Sequence, residues 1–304
     1  MSLSNVITVI PTFFNDDYTI DYKSIYTHIM EQYNSGIQSI VILGTTSEAP
    51  TLNNKEMIEL SSYVYDNFHE MLTIIIGIGG NNTHMLIDEI KEISKYAHYI
   101  MISQPSYNKP TQEGIFQHFK HLIEATDKNI IIYNIPSRCG VNIDPITVKR
   151  IVDISPRVQA IKEASGSIEQ AIMIHELVPD LKIYSGDDIL TLPILSIGGV
   201  GVISVVSNIA SKSMISMVCN YVNGDLNKAQ SEFYSLKPLI KYCFIETNPS
   251  PVKFLLSLLN SKPSLEKVRL PLVELSNESK QKILLNFYYH YLSQNPHKKY
   301  DYNQ

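Results

Sequence analysis

Short apolar runs rich in isoleucine and valine alternate along most of the chain with longer segments in which apolar residues recur every three or four positions. The longer segments predict helices that bury one face. The short runs predict strands, and because their consecutive positions are apolar, the strands are expected to be buried on both faces, as in a parallel sheet. The eight runs cover residues 6–10, 37–43, 73–78, 99–102, 130–133, 158–161, 181–184 and 201–206.

Signals for helix starts and ends fall between these runs. Gly36 follows the first helical pattern, Asn82 or Thr83 precedes the third, and Asp144-Pro145 opens the fifth. Eight strand–helix units in succession predict an α/β fold, a (β/α)8 TIM barrel with a C-terminal helical appendage. An open, doubly wound sheet is the alternative.

Only helical patterns follow the eighth unit, at 226–242, 252–259 and 279–292. We therefore expect the barrel to span 1–222 and a helical region packed on it to span 223–294. The polar, unpatterned residues 295–304 are expected to form a frayed tail.

The composition is that of a globular protein, for which a small-molecule substrate is the default expectation. Of 304 residues, 44% are hydrophobic and 18% charged, and the net charge of -5 offers no basic excess for nucleic acid or an anionic membrane. The three cysteines, Cys139, Cys219 and Cys243, show no metal-binding or disulfide spacing, which fits a reducing cytoplasm. The uncharged segment 192–210 contains Pro193 and three glycines, which favour a helix end, a turn and a buried strand over a membrane span.

Catalytic residues of such a barrel are expected where the strands end at their carboxyl termini. Lys162 follows the apolar run 158–161, so burial should lower its pKa from about 10.4 and leave an amine able to attack a ketone. An ion pair between Lys162 and Glu163 is the competing interpretation.

Three further kinds of side chain occupy strand ends. Tyr133 on the neighbouring strand can move protons, or can be a satisfied core tyrosine. Thr45 and Thr46 suit a carboxylate, or cap a helix. Arg138 can hold a second carboxylate through two hydrogen bonds, or can be a surface residue.

The chain resembles the dihydrodipicolinate synthase (4-hydroxy-tetrahydrodipicolinate synthase) family of pyruvate-dependent, Schiff-base-forming lyases. The resemblance covers nearly the whole chain and rests on motifs in the family's order. They are Gly44-Thr45-Thr46-x-Glu48, Tyr107-Asn108, Tyr133-Asn134-Ile135-Pro136-Ser137-Arg138, Ile161-Lys162-Glu163, Ser185-Gly186-Asp187-Asp188, Gly201-Val202-Ile203-Ser204 and Pro251-Val252-Lys253.

The resemblance implies that Lys162 forms a Schiff base with pyruvate and that Thr45, Tyr133 and Tyr107 form a proton relay, with Tyr107 supplied by a neighbouring subunit. It further implies that pyruvate condenses with aspartate 4-semialdehyde in lysine and diaminopimelate biosynthesis, without a metal or organic cofactor. A homotetramer, a dimer of dimers, is implied too. The substrate-binding residues implied by it are Thr46, Arg138, Gly186 and Ile203.

Two positions depart from the commonest family pattern: Ser47 replaces a glycine, and Ser106 replaces a second aromatic residue. In lysine-inhibited members that aromatic residue lines the effector pocket together with histidine and acidic side chains. The matching positions in this chain are Asn54, Met57 and Met85. We expect weak or absent feedback inhibition by lysine, which inhibition at micromolar lysine would contradict.

Three other functions are compatible with the sequence. A related pyruvate lyase, acting on N-acetylneuraminate or a 2-keto-3-deoxy sugar acid, would use the same lysine, but Arg138 favours a substrate with a second carboxylate. A metal-dependent aldolase is suggested only by the spacing of His118 and His121, for which a solvated helix face is the plainer explanation. A barrel without catalysis could serve as a sensor or structural partner.

Overall fold

The computed structural model describes residues 2–287, which contain eight parallel strands in a closed barrel. Pairing of β1 with β8, in which Ile7 lies opposite Ile203, closes the barrel and excludes the open sheet. The predicted (β/α)8 architecture is confirmed. The strands are β1 (Val6–Val9), β2 (Ser39–Ile42), β3 (Thr73–Ile78), β4 (Tyr99–Ser103), β5 (Asn129–Asn134), β6 (Val158–Glu163), β7 (Lys182–Ser185) and β8 (Gly201–Ser204).

Helices follow the strands and cover the barrel. They are α1 (Tyr22–Asn34), α2 (Asn54–Phe68), α3 (Thr83–Ile93), α4 (Gln112–Glu124), α5 (Pro136–Cys139), α6 (Pro145–Val152), α7 (Ile168–Leu177), α8 (Thr191–Ser196), α9 (Ser207–Val222), α10 (Leu226–Cys243), α11 (Ser250–Leu259) and α12 (Asn277–Phe287). Of these, α10, α11 and α12 continue the chain after the last barrel helix, α9. Short 3-10 turns at Thr45–Ser47, Ala49–Thr51, Ser94–Tyr96, Asp188–Leu190 and Pro263–Glu266 complete the described elements.

Local signals set several helix boundaries. The Asn53 side chain caps α2 by accepting from the Glu56 backbone N–H, and the Glu56 side chain accepts in return from the Asn53 N–H. Asn82 caps α3 by accepting from the Met85 N–H. Gly36, after α1, has a φ of 100°, a conformation that favours glycine.

Alternate residues of each strand face the barrel interior. One buried cluster lies inside the barrel and includes Ile7, Val41, Ile75, Ile131 and Ile203. A second, larger cluster lies between the strands and the helices. Consecutive strand positions are therefore all buried, which explains why the strands appear in the sequence as continuous apolar runs.

The uncharged segment 192–210 divides as expected. It contains most of α8, a turn, β8 and the start of α9. In residues 2–287 no helix combines the length and apolar character needed to cross a membrane.

The C-terminal helices pack at the end of the barrel where the strands terminate. Helix α11 contacts α9 and α10, and Lys253 within it forms a fully buried ion pair with Glu48, at 2.6 Å between Nζ and Oε1. Since Glu48 follows β2, this pair ties the C-terminal region to a loop at the barrel mouth. The division of the chain at residue 222 stays a prediction, and the rest of the 279–292 pattern and the 295–304 tail lie outside the described residues.

Candidate active site

Strands β5 and β6 place Tyr133 and Lys162 side by side. Their Cα atoms are register partners, and the Lys162 Nζ lies 4.2 Å from the centre of the Tyr133 ring. Ala160 and Ala164 belong to the cluster inside the barrel, so Lys162, between them at the period of a strand, shares the interior face. Both side chains are buried at the carboxyl end of the barrel.

Burial controls the charge of Lys162. Loss of hydration lowers the pKa of its amine to about 8, while the carboxylates of Asp188 and Asp187 oppose the shift and the Arg138 cation adds to it. An amine with a pKa near 8 is unprotonated in a useful fraction of molecules at neutral pH. Such an amine can attack a carbonyl carbon.

Glu163 points away from Lys162 and is held by other groups. Its carboxylate accepts hydrogen bonds from Asn134 Nδ2 at 3.0 Å, from the Ser165 N–H at 2.6 Å and from Gln170 Nε2 at 3.0 Å. Successive residues of a strand face opposite sides, which explains the orientation. The interpretation of Lys162 as the ion-pair partner of Glu163 is therefore wrong. The hydrogen bonds of Glu163 instead join the ends of β5 and β6.

Tyr133 keeps its proton at physiological pH. Burial raises the pKa of its phenol above the ordinary value, and a hydrogen bond with the Thr45 side chain partly opposes this. A neutral phenol beside an amine can donate a proton to an oxygen that leaves or becomes charged.

Thr45 and Thr46 lie in the short turn that follows β2. The residue that caps this turn is Gly44, so neither threonine hydroxyl serves as its cap. The Thr46 hydroxyl is buried and accepts a hydrogen bond from Asn248 Nδ2 at 2.9 Å, which leaves its own hydrogen free to donate. Behind the turn, Ser47 Oγ donates to the Ile10 carbonyl at 2.6 Å.

Arg138 lies in α5, on the exposed side of the same region. Its Nη2 donates to the Asn248 carbonyl at 3.4 Å. Its charge lowers the pKa of both Lys162 and Tyr133, so the guanidinium stands within electrostatic reach of both. The structure therefore places Arg138 near the barrel mouth, as expected.

Gly186 and Ile203 flank the site from β7 and β8. A Cβ on Gly186 would lie 2.5 Å from the Ala164 Cβ, and the Gly186 N–H donates to the Glu163 carbonyl at 2.7 Å, so only glycine fits this close approach. Ile203 belongs to the interior cluster.

Tyr107 is the one expected relay residue that the fold leaves apart. Its side chain is 87% exposed, its φ is 68°, and no described contact joins it to Lys162, Tyr133 or Thr45. Within a single chain, the structure therefore brings together three of the four residues expected to act on protons.

Two polar residues of the site were not assigned a role from the sequence. Asp188 is buried and accepts hydrogen bonds from Ser204 Oγ and from the Val205 and Val206 N–H groups, and burial raises its pKa to about 6. Its place three residues after the end of β7 is a usable signal in the sequence. Asn248 lies in a proline-rich break between helices, and nothing in its local sequence indicated that it reaches Thr46.

A cavity of about 670 Å³ opens between the end of β7 and α10. It adjoins Asp187 and Asp188, the two carboxylates that act on the pKa of Lys162, while Lys237, Lys241 and Phe244 of the C-terminal region form its other wall.

The histidine pair suggested as a metal site lies on α4, away from the strand ends. His118 is buried rather than solvated, its Nδ1 is 2.8 Å from Thr83 Oγ1, and burial lowers its pKa to about 4. His121 Nδ1 lies 2.8 Å from the Gln117 carbonyl. Between residues 2 and 287, no group of three or more histidine, cysteine or acidic side chains is arranged to hold a metal ion.

Comparison with known proteins identifies the family of this chain. The model of the dihydrodipicolinate synthetase family matches residues 2–286. A 4-hydroxy-tetrahydrodipicolinate synthase of Endomicrobium trichonymphae is 40% identical over 92% of this chain and 96% of its own length. The enzyme of that name from Bacillus subtilis (strain 168) is 39% identical over 92% of this chain and 97% of its own.

Solved structures agree with these relatives. The 4-hydroxy-tetrahydrodipicolinate synthase of Methylacidiphilum fumariolicum SolV superposes with a TM-score of 0.90 at 36% identity, covering 98% of this chain and 100% of that one. Dihydrodipicolinate synthase from Aquifex aeolicus gives a TM-score of 0.90 at 32% identity, covering 95% and 99%.

Proposed function

The chain belongs to the dihydrodipicolinate synthetase family, and from that premise we propose that it condenses pyruvate with aspartate 4-semialdehyde to form 4-hydroxy-tetrahydrodipicolinate. The observation that carries the proposal is the buried amine of Lys162, with its pKa lowered to about 8, beside the Tyr133 phenol at the barrel mouth. It is a lyase of the class I aldolase type.

The reaction begins when the Lys162 amine attacks the keto carbon of pyruvate. The carbinolamine loses water to give an imine, and the Tyr133 phenol, hydrogen-bonded with Thr45, donates the proton that lets the oxygen leave as water. The protonated imine withdraws electrons, so that the Tyr133 phenolate left by the first step takes a proton from the pyruvate methyl group and an enamine forms. Thr45 and Thr46 hold the pyruvate carboxylate.

The enamine carbon then attacks the aldehyde of the second substrate and forms the new carbon–carbon bond, and the Tyr133 phenol returns a proton to the aldehyde oxygen, which becomes a hydroxyl group. The amine of that substrate adds to the imine carbon, Lys162 leaves as the free amine, and the ring closes with its hydroxyl group retained. Arg138 binds the carboxylate of the semialdehyde, and the Gly186 and Ile203 carbonyls line the pocket.

The exposed position of Tyr107 supports an assembly in which it serves a neighbouring chain. A tyrosine that is 87% exposed, with no described contact to its own Lys162, is accessible to a second copy of the chain. We propose that the protein is a homotetramer, a dimer of dimers, in which Tyr107 completes the partner's proton relay. A cytoplasmic location remains the expectation for such a biosynthetic enzyme.

Pyruvate consumption by the purified protein tests the reaction. Aspartate semialdehyde is offered as acceptor, with N-acetylmannosamine in parallel. Consumption with the semialdehyde alone supports the proposal, whereas consumption with the sugar alone assigns the protein to the sugar-acid lyases. Consumption with neither favours a barrel without catalysis.

The variant Arg138→Ala identifies the role of the guanidinium. It should reduce kcat/KM for the semialdehyde strongly, because the second substrate loses its carboxylate partner. Its effect on pyruvate should be smaller and should come from the rise in the pKa of Lys162 that loss of the Arg138 charge causes. An unchanged kcat/KM would remove Arg138 from the binding site.

A further inference from the structure

Two glutamines stand at the two ends of the connection between β4 and α4, the segment that carries Tyr107. Gln104 is the first residue after β4, and Gln112 is the first residue of α4. The connection between β5 and α6 carries Arg138. Each glutamine side chain is hydrogen-bonded to the main chain of that second connection.

Gln104 is fully buried and holds the Arg138 connection on both sides of Arg138. Its Oε1 accepts from the Ile135 N–H at 3.2 Å, and its Nε2 donates to the Val141 carbonyl at 2.9 Å. Its main-chain carbonyl accepts from Cys139 Sγ at 3.3 Å. The short helix α5 is therefore fixed before and after the residue whose guanidinium stands at the barrel mouth.

Gln112 repeats this arrangement at the other end of the Tyr107 segment. Its Nε2 donates to the Asn142 carbonyl at 2.9 Å, and its Oε1 accepts from the N–H of Asp144, the residue before α6, at 3.1 Å. Between the two glutamines, a Cβ on Gly140 would lie 3.1 Å from Lys109 Cε. The two connections are thus joined at both ends and lie in close contact between them.

The backbone of the Tyr107 segment needs such support. Tyr107 and Lys109 have φ angles of 68° and 46°, in a region that residues with a side chain seldom adopt. A backbone in this conformation persists where the surrounding structure fixes it. The two side-chain amides provide fixed points at the ends of the segment, because each donates to and accepts from the neighbouring main chain.

We propose that Gln104 and Gln112 are positioning residues that hold the Tyr107 segment and the Arg138 connection together as one rigid unit. This rests on the proposed function, in which Arg138 binds a substrate in its own chain and Tyr107 serves the proton relay of a neighbouring chain. Both glutamines act through these two residues rather than by touching substrate. The unit joins the substrate contact of one site to the relay of the next.

Double-variant cycles separate this positioning from a general loss of stability. The kcat/KM for aspartate semialdehyde is measured for Gln104→Met alone and combined with Arg138→Ala or with Tyr107→Phe. Methionine keeps the length of the side chain and removes its hydrogen bonds. Gln104→Met alone should lower kcat/KM by roughly 10-fold or more, because small displacements of binding and catalytic groups are costly. It should cost less in either combination than in the wild-type protein, because one of the two residues through which it acts is already lost.

Two companion variants make the test decisive. Gln112 is only partly buried, so Gln112→Met tests the other end of the unit even if Gln104→Met does not fold, and it should show the same reduced losses. Gln32 on α1 is the matched control. It is 4% exposed, accepts from Thr8 Oγ1 at 3.3 Å and donates to the Asn208 carbonyl at 3.2 Å. Gln32→Met should change kcat/KM by the same factor in all three backgrounds.

Losses that multiply in full when the glutamine variants are combined with Arg138→Ala or with Tyr107→Phe would overturn the inference, because the glutamines would then act by another route. An unchanged kcat/KM in both Gln104→Met and Gln112→Met would overturn it as well. Failure of the proposed function is recognised separately, because the wild-type protein would then consume no pyruvate with aspartate semialdehyde.

Discussion

Tyr133 and Lys162 are opposite one another only because the pairing of β5 with β6 shifts by one residue. Ile130 lies opposite Val158, but Ile131 lies opposite Ala160, and the new register continues to Tyr133 and Lys162. Without the shift, Tyr133 would face Ile161, whose side chain packs in the cluster outside the barrel. A one-residue irregularity in the ladder therefore sets the phenol beside the amine.

The rate of imine formation should rise with pH and level off above about 8. The lowered pKa of Lys162 means that the reactive free amine is a minor species below that pH and the major one above it. The initial rate of borohydride trapping with saturating pyruvate measures this profile. Asp187→Asn removes a carboxylate that raises the pKa of Lys162, so its profile should move to lower pH. A flat profile between pH 6 and 9 would contradict the assignment.

Replacing Lys162 by methionine should stabilise the fold while abolishing activity. The folded-state pKa of about 8 lies below the ordinary 10.5, so the unfolded chain binds the proton more tightly and the folded protein loses stability as pH falls from 10.5 to 8. At pH 7 the variant should gain about 2–4 kcal/mol in free energy of unfolding. Urea denaturation at pH 7 and again above pH 10.5, where the gain should shrink, checks this. A destabilised variant at pH 7 would show that the Lys162 charge is compensated in the folded state.

The same substitution at Lys253 should have the opposite effect. The pKa of Lys253 is also lowered to about 8 by burial, but its amine is paired with the Glu48 carboxylate at 2.6 Å. Lys253→Met leaves that carboxylate buried without its cation, at a cost of about 3–5 kcal/mol in free energy of unfolding. The double variant Glu48→Gln/Lys253→Met is the control and should recover part of the loss. If Lys253→Met is neutral, the pair does not anchor the turn that carries Thr45 and Thr46.

Gly186→Ala should lower both stability and activity. The added methyl group would sit 2.5 Å from the Ala164 Cβ, so the ends of β6 and β7 must separate, at a cost of about 1–3 kcal/mol. Thermal unfolding and kcat measure the two effects. Combining the change with Ala164→Gly removes the nearest contact and should restore part of both. No improvement in the double variant would mean that another contact requires the glycine.

The barrel and its reactive lysine follow from local sequence patterns. Eight apolar runs predict the strands, and the rule that barrels act at carboxyl strand ends selects Lys162, Tyr133 and Thr45. The orientation of Glu163 follows from the alternation of side chains along a strand. The opposite charges of the adjacent residues Lys162 and Glu163 nevertheless suggest an ion pair. The hydrogen bond of Asn248 to Thr46 could not be predicted, because it depends on how a segment 202 residues away folds back over the barrel. The register shift between β5 and β6 could not be predicted either, because no residue pattern in either strand indicates it.

Borohydride reduction in the presence of pyruvate tests the central claim most directly. Hydride reduces the imine to a stable amine, so the pyruvate carbon skeleton stays attached to the lysine, and mass spectrometry of peptides locates it. We predict a single adduct on Lys162, absent without borohydride and absent in Lys162→Met. No adduct, or an adduct that persists in Lys162→Met, would contradict the account.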